Sequence, residues 1–212
     1  LRGKPSELNW KAEVTKTPYN RNRTRQFYLD FPPEGVSYEF WARDLALIAL
    51  GLRTMRQPGE LCNLRLSDVK LVGGLFWVRI NKSKTDQLAK EKFIPIEKMS
   101  SRFCSVERVV NYLKVRPVTK GDAPLFLSKS RKKMSVLAIS AVVKRFAEHA
   151  KMKGRFTAHS LRIGGATAAM KGGLSMEQIQ TIGGWVSDAA RLYMRAIGTV
   201  NLGASIAMGF EG

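Results

Sequence analysis

Two glycine pairs, Gly172-Gly173 and Gly183-Gly184, divide the stretch from Phe156 to Arg195 into three segments, each long enough for one short helix. Thr157 is a suitable N-cap for the first segment, because its hydroxyl can accept a hydrogen bond from a backbone N–H of the first turn. Glycine readily adopts the left-handed conformation that ends a helix, so the first pair closes this helix after Met170. The spacing therefore predicts short helices joined by tight turns.

The other two segments carry their own start signals. Ser175 and Gln178 have the spacing of a capping box, which predicts a helix over Met176–Ile182. After the second glycine pair, Ser187 or Asp188 can begin a last helix. We expect the candidate functional residues of the chain to lie on these helices and in the turn between the last two.

His159 and Arg162 lie three residues apart, so the first of these helices presents both on one face. A guanidinium offers paired N–H donors to two phosphate oxygens and keeps its charge at any physiological pH. This pair is therefore suited to binding a phosphate. On its own the pattern is a weak signal, because a single histidine on a helix is more often structural.

Tyr193 follows Arg162 by 31 residues and lies between Arg191 and Arg195. A tyrosine hydroxyl has an ordinary pKa of about 10, so it must be activated before it can act as a nucleophile. Neighbouring cations favour the phenolate. The alternative is a core tyrosine whose hydroxyl lies at the rim.

Upstream of this stretch, the sequence predicts four more helices and a β-hairpin. Residues 1–37 are polar and contain four prolines, so they are predicted to be an arm or linker, and residues 38–212 a single domain with a C-terminal tail. The predicted helices are Tyr38–Leu52, Pro58–Leu64, Ser105–Val115 and Ser135–Lys151, the hairpin strands are Leu75–Ile80 and Lys92–Ile96, and a short buried strand is Ala123–Leu127. The predicted fold class is mainly α with a small antiparallel β-sheet.

The charge balance indicates a polyanionic partner. The chain has 36 Lys and Arg against 17 Asp and Glu, which gives a formal net charge of +19. DNA or RNA is the first candidate for a domain this basic, whereas a merely soluble, lysine-rich surface is the alternative. Two basic segments are candidate DNA contacts: Lys82 and Lys90 in the hairpin loop, and Arg131, Lys132 and Lys133 before the fourth helix.

Cysteine spacing and hydropathy exclude several classes of protein. Cys62 and Cys104 are far apart, and each lies in an apolar, helix-like run, so neither a metal site nor a disulfide framework is predicted. They are expected to be reduced core thiols of an intracellular protein. No apolar run approaches the ~18 residues of a membrane span. Because the chain starts with Leu1 and shows no signal peptide, we expect it to begin inside a longer protein.

Taken together, these residues resemble the tyrosine recombinase family, which is also called the phage integrase family. The matching motifs, in family order, are Thr54–Leu61 for the first arginine box, Lys84 for the hairpin lysine, His159-Ser160-Leu161-Arg162 for H-x-L-R, Ile182–Trp185 for the turn with a His or Trp, and Tyr193 for the nucleophile. Several motifs in the right order are far more specific than any one of them. The resemblance covers about residues 38–200. Two short segments, Ser83–Gln87 and Gly183–Trp185, are most similar to recombinases of eukaryotic mobile elements.

The first arginine box departs from the family pattern. The family usually places its arginine three residues before the acidic residue, and three residues before Glu60 is Gln57. Arg56 lies four residues before it. Either Arg56 takes the role through a small shift, which we favour, or Gln57 has replaced the arginine and the site is weakened by about 10²–10³ in rate.

The resemblance implies a role for each matched residue. Tyr193 attacks a DNA phosphodiester and forms a 3′-phosphotyrosyl link, while Arg56 and Arg162 hold the non-bridging oxygens. Lys84 protonates the leaving 5′-oxygen. The remaining implied roles are proton transfer or phosphate binding for His159, an indole N–H donor for Trp185 and a structural role for Glu60.

The resemblance also implies partners and a location. The expected partner is double-stranded DNA, and the expected assembly is a homotetramer on synapsed DNA, with a monomer off DNA left open. No metal, other cofactor or membrane is expected. The protein would act with DNA inside the cell, in the nucleus of a eukaryotic host or otherwise in the cytoplasm. Two other functions remain open at this stage: an inactive DNA-binding protein with the same fold, and a basic RNA-binding or ribosome-associated protein.

Overall fold

The computed structural model describes residues 31–80, 92–101, 103–119 and 121–185. In chain order, its elements are α1 (Tyr38–Thr54), α2 (Pro58–Asn63), a 3₁₀ turn (Leu66–Asp68), β1 (Val69–Val72), β2 (Leu75–Ile80), β3 (Lys92–Ile96), α3 (Ser105–Val115), α4 (Val136–His149), α5 (Ala158–Lys171) and α6 (Met176–Gly183). The prediction of a mainly helical fold with a small antiparallel sheet is confirmed.

Helix α1 forms the centre of the core. Ser37 caps it by accepting a hydrogen bond from the Phe40 backbone N–H. The helix is apolar almost all round and is buried from Trp41 to Leu52, as expected of a helix surrounded by other elements. It packs against α3 on one side and α5 on another. It ends where Met55 adopts a left-handed conformation, with φ of 52°.

A buried charge cluster ties α1 to its neighbours. Asp44 is completely buried and accepts a hydrogen bond from Arg43 Nε at 2.8 Å. It also forms an ion pair with Arg145 of α4. Arg43 Nη1 donates to the backbone carbonyl of Leu127 at 2.8 Å. One carboxylate therefore holds together α1, α4 and the segment between α3 and α4.

The sheet has the order β1-β2-β3, and all its pairs are antiparallel. Gly73 and Gly74 make the tight turn between β1 and β2, both with positive φ. The buried side chains of β2 and β3 alternate with exposed or half-buried ones, so the sheet covers the core with one face. The sequence predicted β2 and β3 with these bounds and missed β1.

The predicted strand Ala123–Leu127 is wrong. This segment contributes only isolated bridges within the described ranges, from Pro124 to Arg65 and from Leu127 to Lys133. Leu125, Phe126 and Leu127 are buried as predicted, but Pro124 has no N–H to donate to a ladder. Residues 1–30 of the predicted arm, the hairpin loop 81–91 and the predicted last helix lie outside the described residues. No helix in the described ranges is long and apolar enough to span a membrane.

Candidate active site

A close crossing of α1 and α5 forms the floor of the site. A β-carbon on Gly165 would overlap the backbone carbonyl oxygen of Leu52, and one on Gly51 would lie 2.8 Å from Leu161 Cδ1. The two helix backbones therefore approach more closely than larger residues would permit. This approach brings the end of α1 next to Arg162 on α5. Beneath it, Met55, Ala166 and Ile179 form a small apolar cluster.

Arg162 connects three parts of the site. Its side chain is buried, and Nη1 donates to the carbonyl oxygens of Met55 and Gly183, each at 2.6 Å. Its guanidinium carbon lies 3.6 Å from the centre of the Trp185 ring, within cation–π range. Arg162 therefore joins the end of α1, the end of α6 and the indole that follows α6.

Arg56 lies at the same turn. The left-handed Met55 redirects the chain after α1, and the Arg56 side chain is only 4% exposed. Its Nη1 lies 3.6 Å from Glu60 Oε1 and packs against Gly184. Both arginines therefore contact the Gly183-Gly184 turn. Arg162 donates to the Gly183 carbonyl, and Arg56 packs against Gly184, where a β-carbon would otherwise lie.

Gln57 lies elsewhere. It is exposed and precedes the first turn of α2, where its backbone N–H donates to Glu60 Oε2 at 2.9 Å. The same carboxylate thus contacts the Gln57 backbone with one oxygen and Arg56 with the other. Arg56 precedes α2, and the left-handed turn at Met55 directs it, and not Gln57, into the buried cluster.

The cluster is electropositive. Burial lowers the pKa of Arg56, and the Glu60 carboxylate opposes this shift. The Nε of Arg56 is buried and has no hydrogen-bond partner among the described residues. A buried guanidinium N–H without an acceptor is costly, and an anion would satisfy it. The site therefore has two arginines, one carboxylate and an unmet donor, which suits a phosphate.

His159 lies one turn before Arg162 on α5. Burial, and then repulsion from the Arg162 charge, lower the pKa of His159 below its ordinary 6.5. This shift favours the neutral imidazole at pH 7, the form in which one ring nitrogen can accept a proton.

The structure thus brings together five of the sequence-predicted residues: Arg56, Glu60, His159, Arg162 and Trp185. Tyr193 and the hairpin lysines Lys82, Lys84 and Lys90 lie outside the described residues, so their roles stay predictions. Sequence reasoning missed the structural contributions of Met55 and Gly165. Gly165 had a signal in the Gly164-Gly165 pair inside a helix, whereas the left-handed Met55 had none.

The basic segment before α4 is partly engaged within the protein. Arg131 forms an ion pair with Glu39 and lies over the Phe40 ring. Lys133 Nζ donates to Asn63 Oδ1 at 2.9 Å. Lys132 is exposed. Of these three predicted DNA contacts, only the Lys132 side chain makes no hydrogen bond or ion pair with the described residues.

Both cysteines are free and buried, as predicted. The described residues contain no group of three or more His, Cys, Asp or Glu side chains placed to hold a metal ion.

Comparison with known proteins identifies the family. The phage integrase family model matches residues 36–196, which is most of the chain. The chain belongs to the phage integrase family. This recombinase-family chain is 33% identical over 131 residues to the tyrosine recombinase XerC of Caldanaerobacter subterraneus subsp. tengcongensis, covering 60% of the chain and 33% of the relative. It is 29% identical over 156 residues to the tyrosine recombinase XerA of Pyrococcus furiosus, covering 72% of the chain and 50% of the relative.

Solved structures share the fold. The family member superposes on the XerA recombinase with a TM-score of 0.61 at 23% identity, covering 91% of this chain and 65% of that one. It matches the XerH site-specific recombinase bound to difH substrate with a TM-score of 0.61 at 20% identity, covering 82% and 49%. The chain thus spans between about one third and two thirds of these relatives.

Proposed function

We propose that this chain is the catalytic part of a site-specific recombinase that cuts and rejoins DNA through a 3′-phosphotyrosyl intermediate. The observation that carries the proposal is the convergence of Arg56 and Arg162 on the Gly183-Gly184 turn. Two fixed positive charges in a buried setting can stabilise the negative charge that grows on a phosphate during attack. Membership of the phage integrase family supports the same chemistry.

In the first step, the Tyr193 oxygen bonds to phosphorus and the bond from phosphorus to the 5′-oxygen breaks. The phenolic proton leaves, and His159 accepts it or hydrogen-bonds the phosphate; the lowered pKa of His159, which favours its neutral form, supports this role. Lys84 gives a proton to the leaving 5′-oxygen. Arg56 and Arg162 hold the non-bridging oxygens throughout.

In the second step, the 5′-hydroxyl of another strand attacks the phosphotyrosyl link and Tyr193 is released with a proton. Each step exchanges one phosphoester for another, so the bond energy is retained and no ATP is consumed. Trp185 supports this chemistry by packing on Arg162 and by offering its indole N–H.

Double-stranded DNA is the proposed partner. The XerH relative was solved on its difH substrate, and the lambda integrase core-site complex contains a dimer on DNA. The net charge of +19 supports binding of a polyanion by this chain. We also propose a homotetramer on synapsed DNA and action inside the cell, in the nucleus if the host is eukaryotic and otherwise in the cytoplasm. An origin in a eukaryotic mobile element stays part of the proposal.

A nicked suicide substrate tests the proposed function. Cleavage next to the nick releases a short fragment, so the covalent protein–DNA adduct cannot religate and accumulates. The expected result is an adduct that resists denaturant with the unchanged chain and disappears with Tyr193→Phe, while DNA binding is kept. Binding to duplex DNA without any adduct would instead indicate a DNA-binding protein that has lost catalysis.

A further inference from the structure

We propose that Gly183 and Gly184 are positioning residues of the active site: their missing side chains make the space in which Trp185 and Arg56 are held around Arg162. This inference rests on the proposed function, because it concerns how the same site is assembled. It gives a physical role to two residues that take no part in the chemistry.

Gly184 makes room for Arg56. A β-carbon on Gly184 would overlap Nη1 of Arg56 and lie 3.2 Å from its Cζ. Arg56 is buried and paired with Glu60, so its guanidinium cannot move into solvent without breaking that ion pair. Any side chain at this position must therefore displace the arginine from its place beside the turn.

Gly183 makes room for Trp185. A β-carbon on Gly183 would overlap the six-membered ring of the indole and lie 2.9 Å from Cη2. The Gly183 carbonyl also accepts from Arg162 Nη1 at 2.6 Å, while the indole stacks on the same guanidinium at 3.6 Å. The backbone of Gly183 and the ring of Trp185 thus hold Arg162 from two directions.

Backbone conformation offers a simpler explanation for Gly184 alone. Its φ is +67°, a region that favours glycine at any helix end. Gly173 separates the two effects, because its φ is +85° and a β-carbon there would meet no atom of the described residues within 4 Å. An alanine at Gly173 therefore carries the backbone strain without the collision.

The test compares single-turnover formation of the covalent adduct by Gly184→Ala and Gly173→Ala on the nicked substrate. Displacing a positioned group by about 1 Å costs on the order of 10²-fold in rate. We therefore expect Gly184→Ala to form the adduct about 10²-fold more slowly than Gly173→Ala, with equal affinity for duplex DNA. Equal rates for the two variants would overturn the proposal.

A double-mutant cycle with Arg56 separates positioning from general damage. If Gly184→Ala acts by displacing Arg56, then adding it to Arg56→Ala causes no further loss of rate. Independent losses that multiply would contradict the proposal.

If Gly184→Ala folds poorly, the urea midpoint of unfolding is measured in place of the rate. Arg56→Ala removes the colliding group, so the double variant should have a higher midpoint than Gly184→Ala. A double variant that is no more stable would overturn the proposal.

The outcomes also distinguish this inference from the proposed function. If the unchanged chain forms no adduct, then the proposed function fails. If it forms the adduct and the two alanine variants react equally, then only the positioning role fails. A second pair of variants, Gly183→Ala and Gly183→Ala/Trp185→Ala, repeats the stability comparison at the indole. The urea midpoint of the double variant is expected to lie above that of Gly183→Ala, and a midpoint no higher would overturn the role of Gly183.

Discussion

At the scale of single residues, Arg162 explains why the site is buried and still charged. A guanidinium keeps its proton inside a protein, whereas a lysine in the same place can lose its charge. Its Nη1 donates to two backbone carbonyls while its planar guanidinium stacks on the Trp185 ring, and a lysine, which is shorter and has no planar group, cannot keep both arrangements. We therefore expect Arg162→Lys to lose both turn contacts and to slow adduct formation by about 10²–10³.

The measurement is the single-turnover rate on the nicked substrate, next to thermal unfolding of the same variant. Arg65→Lys is the matched control, because Arg65 forms an exposed ion pair with Asp122. It should leave the cleavage rate within about twofold, because an exposed pair contributes little. A rate for Arg162→Lys equal to this control would contradict the importance of the guanidinium at this position.

His159 predicts a pH dependence. Its pKa in the folded chain is lowered, so the unfolded chain binds more protons between that lowered pKa and the ordinary value of 6.5. The free energy of unfolding therefore falls as the pH drops through this window. We expect His159→Gln to remove this part of the acid destabilisation.

Histidine NMR measures the shift directly. The chain has two histidines, so His149→Gln leaves one ring resonance to follow. Its midpoint should lie below 6.5 and should rise when Arg162→Met removes the nearby charge, but only in part, because burial is the larger cause. A midpoint at or above 6.5 in the unchanged site would contradict the half-buried position of His159 beside the Arg162 charge.

At the scale of elements, the crossing of α1 and α5 sets the position of both arginines. Gly165→Ala would press a methyl group onto the Leu52 carbonyl, and backbone cannot move aside cheaply. Overpacking of this kind costs about 1–3 kcal/mol. We expect the urea midpoint to fall accordingly.

Gly59→Ala is the control for helix propensity, because a β-carbon there would meet no described atom within 4 Å. It should leave stability unchanged or raise it slightly, by less than about 1 kcal/mol. If both variants unfold at the same urea concentration, then the helices are not in the close contact described.

Helix periodicity and caps made most elements predictable. Thr157, Ser175 and the glycine pairs placed α5 and α6 to within one residue. β1 was missed because Val69–Val72 is a short run that continues directly from a 3₁₀ turn. The segment Ala123–Leu127 was assigned to a strand because it is apolar, and an apolar run alone does not specify a hydrogen-bond ladder.

The site was less predictable than the fold. The HxxR motif and Trp185 could be read from sequence, because their spacing matches a family pattern. Whether Arg56 or Gln57 enters the cluster depends on the left-handed turn at Met55, which no local residue preference signals. The hydrogen bond from Arg162 to the carbonyl of Met55, 107 positions earlier, is likewise a product of tertiary packing.

At the scale of the whole molecule, one buried carboxylate connects distant segments. Asp44→Asn would leave Arg43 and Arg145 without their shared partner in the interior. Breaking a buried pair in this way costs about 3–5 kcal/mol. Glu148→Gln, which breaks the exposed i,i+4 pair with Lys144, is the control and should cost about 0.5 kcal/mol or less. Equal effects on the urea midpoint would argue against a buried network.

The excess of positive charge predicts salt-sensitive DNA binding. Affinity for duplex DNA should fall linearly on logarithmic axes as salt rises, and Lys132→Ala should lower the slope by about 1 if Lys132 contacts a phosphate. Lys98→Ala is the control, because Lys98 is paired with Glu107.

A competition assay separates DNA binding from RNA binding. RNA of the same sequence should compete more weakly than duplex DNA for the protein, and an equal or stronger RNA competitor would favour an RNA-binding function.

The most direct test of the central claim compares Arg56→Ala with Gln57→Ala on the nicked suicide substrate. If this fold holds a working phosphate site, Arg56→Ala should slow adduct formation by about 10²–10³, because it removes a charged group that stabilises the transition state. Gln57 is exposed and outside the cluster, so Gln57→Ala should stay within about twofold of the unchanged chain. A large loss with Gln57→Ala and none with Arg56→Ala would contradict the account.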